Sequence, residues 1–296
     1  MANSLFMEPK DIITDALRIG TSGWSYPPSS GPGSWTGLFY PLSRTDELKF
    51  YSRYFNTVEI NSTFYRPAAS KTAEGWARRT PDDFQFTVKM WQHFTHKKGE
   101  WTREELEEFK TGIAPLFEAN KLGCLLLQFP ASFRRTPENS DRLKLLLDEF
   151  AAYPKAVELR HRSWDEAADM LKSFEAVPAF IDEPKFHDSI RQDLELSAGR
   201  LLYLRFHGRH FEKWWKHEHR NERYDYLYTR EELQPYVVRL QSVLENKDVR
   251  RAFIFFNNHP AAKAVVNAAM MRASLGVPVT TELPDRLKAT YPELSA

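Results

Sequence analysis

A single (β/α)8 TIM-type barrel is the fold this sequence predicts, and three observations predict it. Eight short apolar stretches alternate with segments of helical periodicity. The 296 residues suit one such barrel, a fold that typically takes about 250. The turn after the first apolar stretch, "GTSGWSYPP", lacks the G-x-G-x-x-G pattern that would favour an open, doubly wound sheet.

In order, the expected strands are "LRIGTS" (17–22), "TVEIN" (57–61), "FQFTVK" (84–89), "GCLLLQ" (123–128), "AVELR" (156–160), "PAFID" (178–182), "LLYLRF" (201–206) and "RAFIFF" (251–256). The helices between them rest on strong helix formers and end signals. "TREELEEFKTGIAPLFEANK" has helical periodicity, and "SDRLKLLLDEFAAY" offers Ser140 or Asp141 as its cap. "RSWDEAADMLKSFEA" and "TREELQPYVVRLQSVLENK" follow the same logic. "HPAAKAVVNAAMMRASLG" places Pro260 at a first helical position and stops at Gly276. With no repeat and no linker, the whole chain, 1–296, reads as one domain with its core at about 17–276.

Composition narrows the function classes. Lys plus Arg is 41 and Asp plus Glu is 40, so no bulk charge attracts a polyanion. The single cysteine, Cys124, excludes an internal disulfide and a cysteine-rich metal site. The start of the chain has no basic segment followed by an apolar run, and no apolar stretch approaches the roughly 20 residues that span a bilayer. These features predict a cytoplasmic protein with no membrane partner.

Strand ends carry the chemistry. Period-two alternation pairs Glu59 with Asn61, Thr87 with Lys89, Leu126 with Gln128, Glu158 with Arg160, Phe180 with Asp182, Arg205 with His207 and Phe255 with Asn257, with Ser22 in the matching place on strand one. If all point inward, carboxylates (Glu59, Glu158, Asp182) and cations (Lys89, Arg160, Arg205) converge on one mouth of the barrel, the end where barrel enzymes work. A self-satisfied internal lattice is the bland alternative, but buried ion pairs often stabilise no better than apolar packing. His207 could be a base or a metal ligand. His93 and His96 could bind a metal from one helical turn, against simple loop packing. "FNNHP" could aim backbone N–H groups at an anion from the helix after His259, or Asn258 could merely cap that helix. Trp24, Trp35, Phe64, Tyr65, Trp91 and Trp164 would ring the mouth. Gly208 would let backbone approach a ligand.

At these residues a resemblance appears. "IGTSGWSY", "YFNTVEINSTFYR", "TPDDFQFTVK", "LGCLLLQFP", "VELRHRSW", "LRFHGR", "YDYLYT" and "FNNH" followed by "NAAMM" resemble, in order, the YecE-like family, a domain of unknown function numbered 72. The resemblance covers roughly residues 18–276. It implies a TIM-type barrel and no established reaction. It carries over Glu59, Asn61, Lys89, Gln128, Glu158, Arg160, His161, Trp164, Arg205, His207, Gly208, Asn257, Asn258 and His259 as site positions. The "PPSSGPGS" stretch (27–34) looks longer than the family's usual first loop.

The favoured expectation is an enzyme acting on an anionic small molecule, phosphorylated or sugar-derived. Glu59, Lys89, Glu158 and His207 are the candidate catalytic residues. Ser22, Trp24, Asn61, Tyr65, Gln128, Arg160, Trp164, Asp182, Arg205, Gly208, Asn257, Asn258 and His259 are the candidate binding residues. One alternative is a metal-dependent hydrolase of nucleic-acid phosphodiesters, with Glu59, Glu158, Asp182 and His207 as ligands. The His-, Arg- and aromatic-rich loop 207–228 would then contact nucleic acid, weakly at best because it also carries Glu212, Glu218, Glu222 and Asp225. Another alternative is a non-catalytic ligand-binding protein. Lys89 could also form a Schiff base, against the competing expectation that it pairs with Glu59 or Glu158. No cofactor is indicated.

Overall fold

A computed structural model describes residues 16–97, 99–192, 200–214, 218, 220–245, 249–278 and 281–294. Its eight strands are β1 (Leu17–Thr21), β2 (Thr57–Ile60), β3 (Gln85–Lys89), β4 (Leu122–Gln128), β5 (Lys155–Glu158), β6 (Ala176–Asp182), β7 (Leu201–Phe206) and β8 (Arg251–Phe256). All pair in parallel, in the order β1-β8-β7-β6-β5-β4-β3-β2. Helices follow most strands, as parallel crossovers require.

The ring closes between β1 and β2 without a regular ladder. Ser22 bridges Glu59, and the Gly23 N–H donates to the Glu59 carbonyl at 2.8 Å. Lower down, the Tyr51 hydroxyl accepts from the Thr21 N–H at 2.9 Å and donates to the Thr57 carbonyl at 3.1 Å. A Cβ on Gly20 would lie 2.3 Å from the Thr57 oxygen, so this seam needs glycine there.

Local chemistry sets the helix ends. Thr102 and Glu105 form a reciprocal capping box that starts the helix Arg103–Glu118. The helix Pro137–Glu149 is capped by Thr136 rather than by Ser140 or Asp141, because Pro137 fits its first turn. Of segment 162–176, only Ala168–Ser173 is α-helical, after a short 3-10 turn at Arg162–Trp164. Pro260 heads a separate 3-10 turn, not the following helix. Ala261 and Ala262 are left-handed, and the helix begins at Lys263.

Two apolar bodies result. One lies between the strands and the surrounding helices. The other plugs the barrel interior with Cys124, Leu126, Ala156, Ala179, Tyr203, Phe253 and Phe255. Residues two further along these strands therefore rise from the plug toward the C-terminal mouth. Among the described residues, no helix is long and apolar enough to cross a membrane.

Candidate functional site

An ionic layer sits directly on the apolar plug. Arg205, 1% exposed, donates to Glu59 from Nε at 2.9 Å and from a terminal nitrogen at 2.6 Å. Its other terminal nitrogen reaches Glu158 at 2.5 Å. The Tyr203 hydroxyl adds a bond to Glu59 at 2.8 Å. Arg160 grips the second Glu158 oxygen through Nε at 2.8 Å and also lies 3.0 Å from Glu183. A guanidinium cannot shed its proton on burial, so this chain of carboxylates is what makes the buried arginines tolerable. Burial opposes the charge of Glu59 and Glu158, but Arg205 overcomes it at both, with Arg160 assisting at Glu158, and both carboxyls fall below their ordinary range. Glu183 goes the other way: burial raises it against the pull of Arg160.

Above this layer opens a cavity of about 580 Å³. Its cationic lining is Lys89, Arg160, Arg205 and Arg223; its other polar lining includes Asn61, Gln128, His207 and Asn257. Among the described residues, no carboxylate lines it. Glu59 and Glu158 are beneath, fully buried and committed to the arginines. His207 presents Nε2 to Arg205 at 3.3 Å and to Arg160 at 3.5 Å, with Asn257 3.0 Å from Nδ1. Burial and Arg205 push its pKa down to about 4, so the ring is neutral at pH 7. Lys89 lies with Nζ 4.2 Å from the Phe64 ring centre. Burial, then Arg205, lowers it to about 7. Nζ has no carboxylate within 4.0 Å among the described residues, so the expected pairing with Glu59 or Glu158 is not found.

Of the residues expected at the mouth, the cavity brings together Asn61, Tyr65, Lys89, Gln128, Arg160, Arg205, His207, Asn257 and His259. Ser22 lies buried without lining it, its Oγ lacking a hydrogen-bond partner. Five others are elsewhere. Asp182 points outward, because Ala179 occupies the barrel interior and fixes the opposite phase for Phe180 and Asp182. There it binds Arg209 at 2.6 and 2.9 Å and accepts from Tyr228 at 2.7 Å and from Tyr236. Glu183, one residue on, takes the inward place. Trp164 is buried, stacked on Phe133 at 5.4 Å and bonded to its carbonyl. Trp24 packs edge-on against Trp76. Asn258 is buried between the Tyr226 carbonyl and Asn267. Gly208, at φ +91°, serves packing, since a Cβ there would lie 2.8 Å from that of Tyr226.

The aromatic ring is also smaller than expected. Phe64 and Tyr65 line the cavity, whereas Trp35 is buried with Nε1 on the His259 carbonyl and Trp91 bonds the Tyr65 carbonyl. Tyr26 and Tyr224 replace the missing tryptophans. Tyr26 stacks on His259 with ring centres 4.6 Å apart. Sequence alternation misses these two and Arg223 because they stand on loops, where no period fixes direction. The left-handed alanines after Pro260 separate His259 from the helix start, so the expected helix-end anion cradle does not form as drawn.

His93, His96 and the described part of loop 207–228 have definite places. His93 pairs with Glu105 at 3.2 Å and His96 shares a hydrogen bond with Thr95, so they do not converge. Among the described residues, no three His, Cys, Asp or Glu side chains are grouped to hold a metal ion. In loop 207–228, Arg209 is spent on Asp182 and Glu232, and Lys213 pairs with Glu222. Residues 215–217 and 219 of that loop lie outside the described residues.

Comparison with known proteins agrees with this architecture. The family model "Protein of unknown function DUF72" matches residues 18–290. The UPF0759 protein YunF of Bacillus subtilis (strain 168) is 30% identical over 289 residues, covering 92% of this chain and 99% of YunF. The UPF0759 protein YecE of Escherichia coli (strain K12) is 32% identical over 147 residues, about half of each chain. A crystal structure of a DUF72 family protein from Thermotoga maritima MSB8 superposes with a TM-score of 0.77 at 34% identity, covering 88% of this chain and 99% of that one. A second, from Enterococcus faecalis V583, shares the fold with a TM-score of 0.77 at 24% identity, covering 91% and 100%. With the match spanning nearly its whole length and the barrel common to its relatives, the chain belongs to the DUF72 family.

Proposed function

We propose that the barrel mouth binds a small molecule bearing a phosphate or carboxylate group and that the protein is an enzyme acting on it. One observation carries this reading: four cationic side chains, and among the described residues no carboxylate, line the cavity. The acids that would cancel those charges are buried below, already paired, or turned outward. Lys89 and Arg223 make no ion pair among the described residues, which leaves charge for a ligand. The amides of Asn61, Gln128 and Asn257 supply neutral donors that fix orientation. The location supports an enzyme over a passive binder, because barrel chemistry gathers at the C-terminal ends of the strands. Lys89, shifted to about 7, can exchange a proton with a ligand at neutral pH.

Sulfate or phosphate is expected to raise the melting temperature in proportion to the logarithm of concentration once the site fills. Chloride at equal ionic strength should not. Lys89→Met and Arg223→Met should each weaken half-saturation about tenfold, as loss of one charge-assisted hydrogen bond of about 1.5 kcal/mol implies. Equal shifts with chloride and phosphate, or unchanged shifts in both variants, would count against the reading.

A further inference from the structure

We propose that Lys89 is a nucleophilic amine that forms a Schiff base with a small carbonyl compound carrying an anionic group. The inference rests on the anion-binding reading above and adds the covalent step and the substrate class. Lys89 ends β3 and faces the cavity from a strand, not from a loop, so its reach is fixed by the barrel. Its Nζ sits over the Phe64 ring with no carboxylate close by. The buried structural lysines of this chain, Lys121 and Lys155, are held by backbone carbonyls, whereas no hydrogen bond or ion pair of Lys89 is found among the described residues, and the two buried carboxylates of its layer, Glu59 and Glu158, are claimed by Arg205 and Arg160.

The consequence is an amine that loses its proton readily. Burial and the charge of Arg205 destabilise the ammonium form, which brings the pKa to about 7. The arginines thus have two roles. They lower the pKa of the amine, and they hold the anionic end of a ligand within its reach. His96 packs edge-on against the same Phe64 ring at 4.9 Å and is lowered to about 4 by burial and by Lys89. It is neutral at pH 7 and lines the same cavity.

The step balances without any further reactant. The neutral amine adds its lone pair to the carbonyl carbon, and the carbonyl π pair moves to oxygen. A proton passes from nitrogen to that oxygen, giving a carbinolamine. The nitrogen lone pair then expels the hydroxyl group, which takes up the proton released when the Lys89 ammonium became the neutral amine and leaves as water, and the iminium remains. Positive charge on the iminium is tolerable because the ligand's anionic group offsets the arginine charge that disfavours the ammonium form.

Pyridoxal 5′-phosphate, an anionic aldehyde, serves as the probe, with borohydride reduction and peptide mapping to locate the adduct. Lys89 is expected to be labelled faster than the surface residue Lys144 at pH 7, by on the order of tenfold or more, because a far larger fraction of it is neutral. Its labelling rate should rise with pH about a midpoint near 7. Phosphate should protect Lys89 and leave Lys144 unaffected, and a neutral aromatic aldehyde should label Lys89 more slowly than the phosphorylated one. Lys89→Arg, with its folding checked by its melting temperature, should abolish the fast adduct. Labelling of Lys89 no faster than Lys144 overturns the nucleophile. If phosphate still stabilises the protein in that event, the anion pocket survives and only the covalent step falls. Fast labelling that ignores both phosphate and the charge of the aldehyde overturns the anionic substrate class.

Discussion

Replacing Glu158 by alanine is expected to destabilise the protein by about 3–5 kcal/mol, the cost of leaving buried cations uncompensated. Glu158 has no exposed surface, accepts from Arg160 at 2.8 and 2.5 Å and from Arg205 at 2.5 Å, and lies 3.8 Å from His207. Without it, Arg160 keeps Glu183 and Arg205 keeps Glu59, so each guanidinium retains one acid and loses another. The variant should also move His207, which would face two arginines that each keep a single acid. Urea titration gives the measurement. A loss below 1 kcal/mol would mean that the layer is not held by charge pairing. Glu158→Gln, which keeps the shape and one acceptor, should fall between the two.

Acid should weaken the fold well above the ordinary carboxylate range. His207 and His259 are both lowered from 6.5 to about 4, chiefly by burial. Between these values the unfolded chain binds protons that the folded chain refuses. Stability is therefore fully present above pH 6.5 and is lost as pH falls toward 4, by about 3 kcal/mol for His207 alone. Glu158, held low by the arginines, adds to the loss at still lower pH, while Glu183, raised by burial, works in the opposite direction. Urea midpoints measured across that window should slope, and His207→Asn should flatten the slope. A flat profile in the wild-type protein would show that His207 is not buried as a neutral ring.

The barrel was legible because its signals are local and repeated. Strands such as "TVEIN" and "LLYLRF" are short, apolar and bounded by helix formers, and the described strands begin and end within about two residues of where pattern places them. Seven of the eight strand ends were also assigned the correct phase. Strand six failed because "PAFID" offers two readings: Phe180 and Asp182 share one face and Ala179 and Ile181 the other. Only the volume inside the ring, already taken by Tyr203, Phe253 and Phe255, selects small Ala179 for the interior. That is a property of the assembled barrel and is absent from any one strand. Gly208, Asn258 and Trp164 were misplaced for a related reason. Each belongs to a motif of the family, but its partners (Tyr226, Asn267 and Phe133) are distant in sequence or lie on loops. Sequence showed which residues lie near the mouth more readily than which of them turn toward it.

The seam at Tyr51 bears on how the mouth moves. Elsewhere two strands separate only by breaking several ladder bonds together; here, below the single bridge at Ser22 and Glu59, a phenol is wedged between them and its hydroxyl bonds to both. The loops that follow β1 and β2 supply Tyr26 on one side of the cavity and Asn61, Ser62, Phe64 and Tyr65 on the other. The barrel is a hoop with one loosely stitched joint, and Tyr51 stands in that joint below the rim of the cavity. Tyr51→Phe removes the hydroxyl and leaves the Thr21 amide and the Thr57 carbonyl unpartnered. Hydrogen exchange at Thr21 is expected to accelerate in that variant, while amides in the β7–β8 ladder on the far side keep their protection. The Tyr51 hydroxyl thus contributes to the stiffness of this wall beside the Gly23–Glu59 backbone bond, from a position outside the residues that line the cavity.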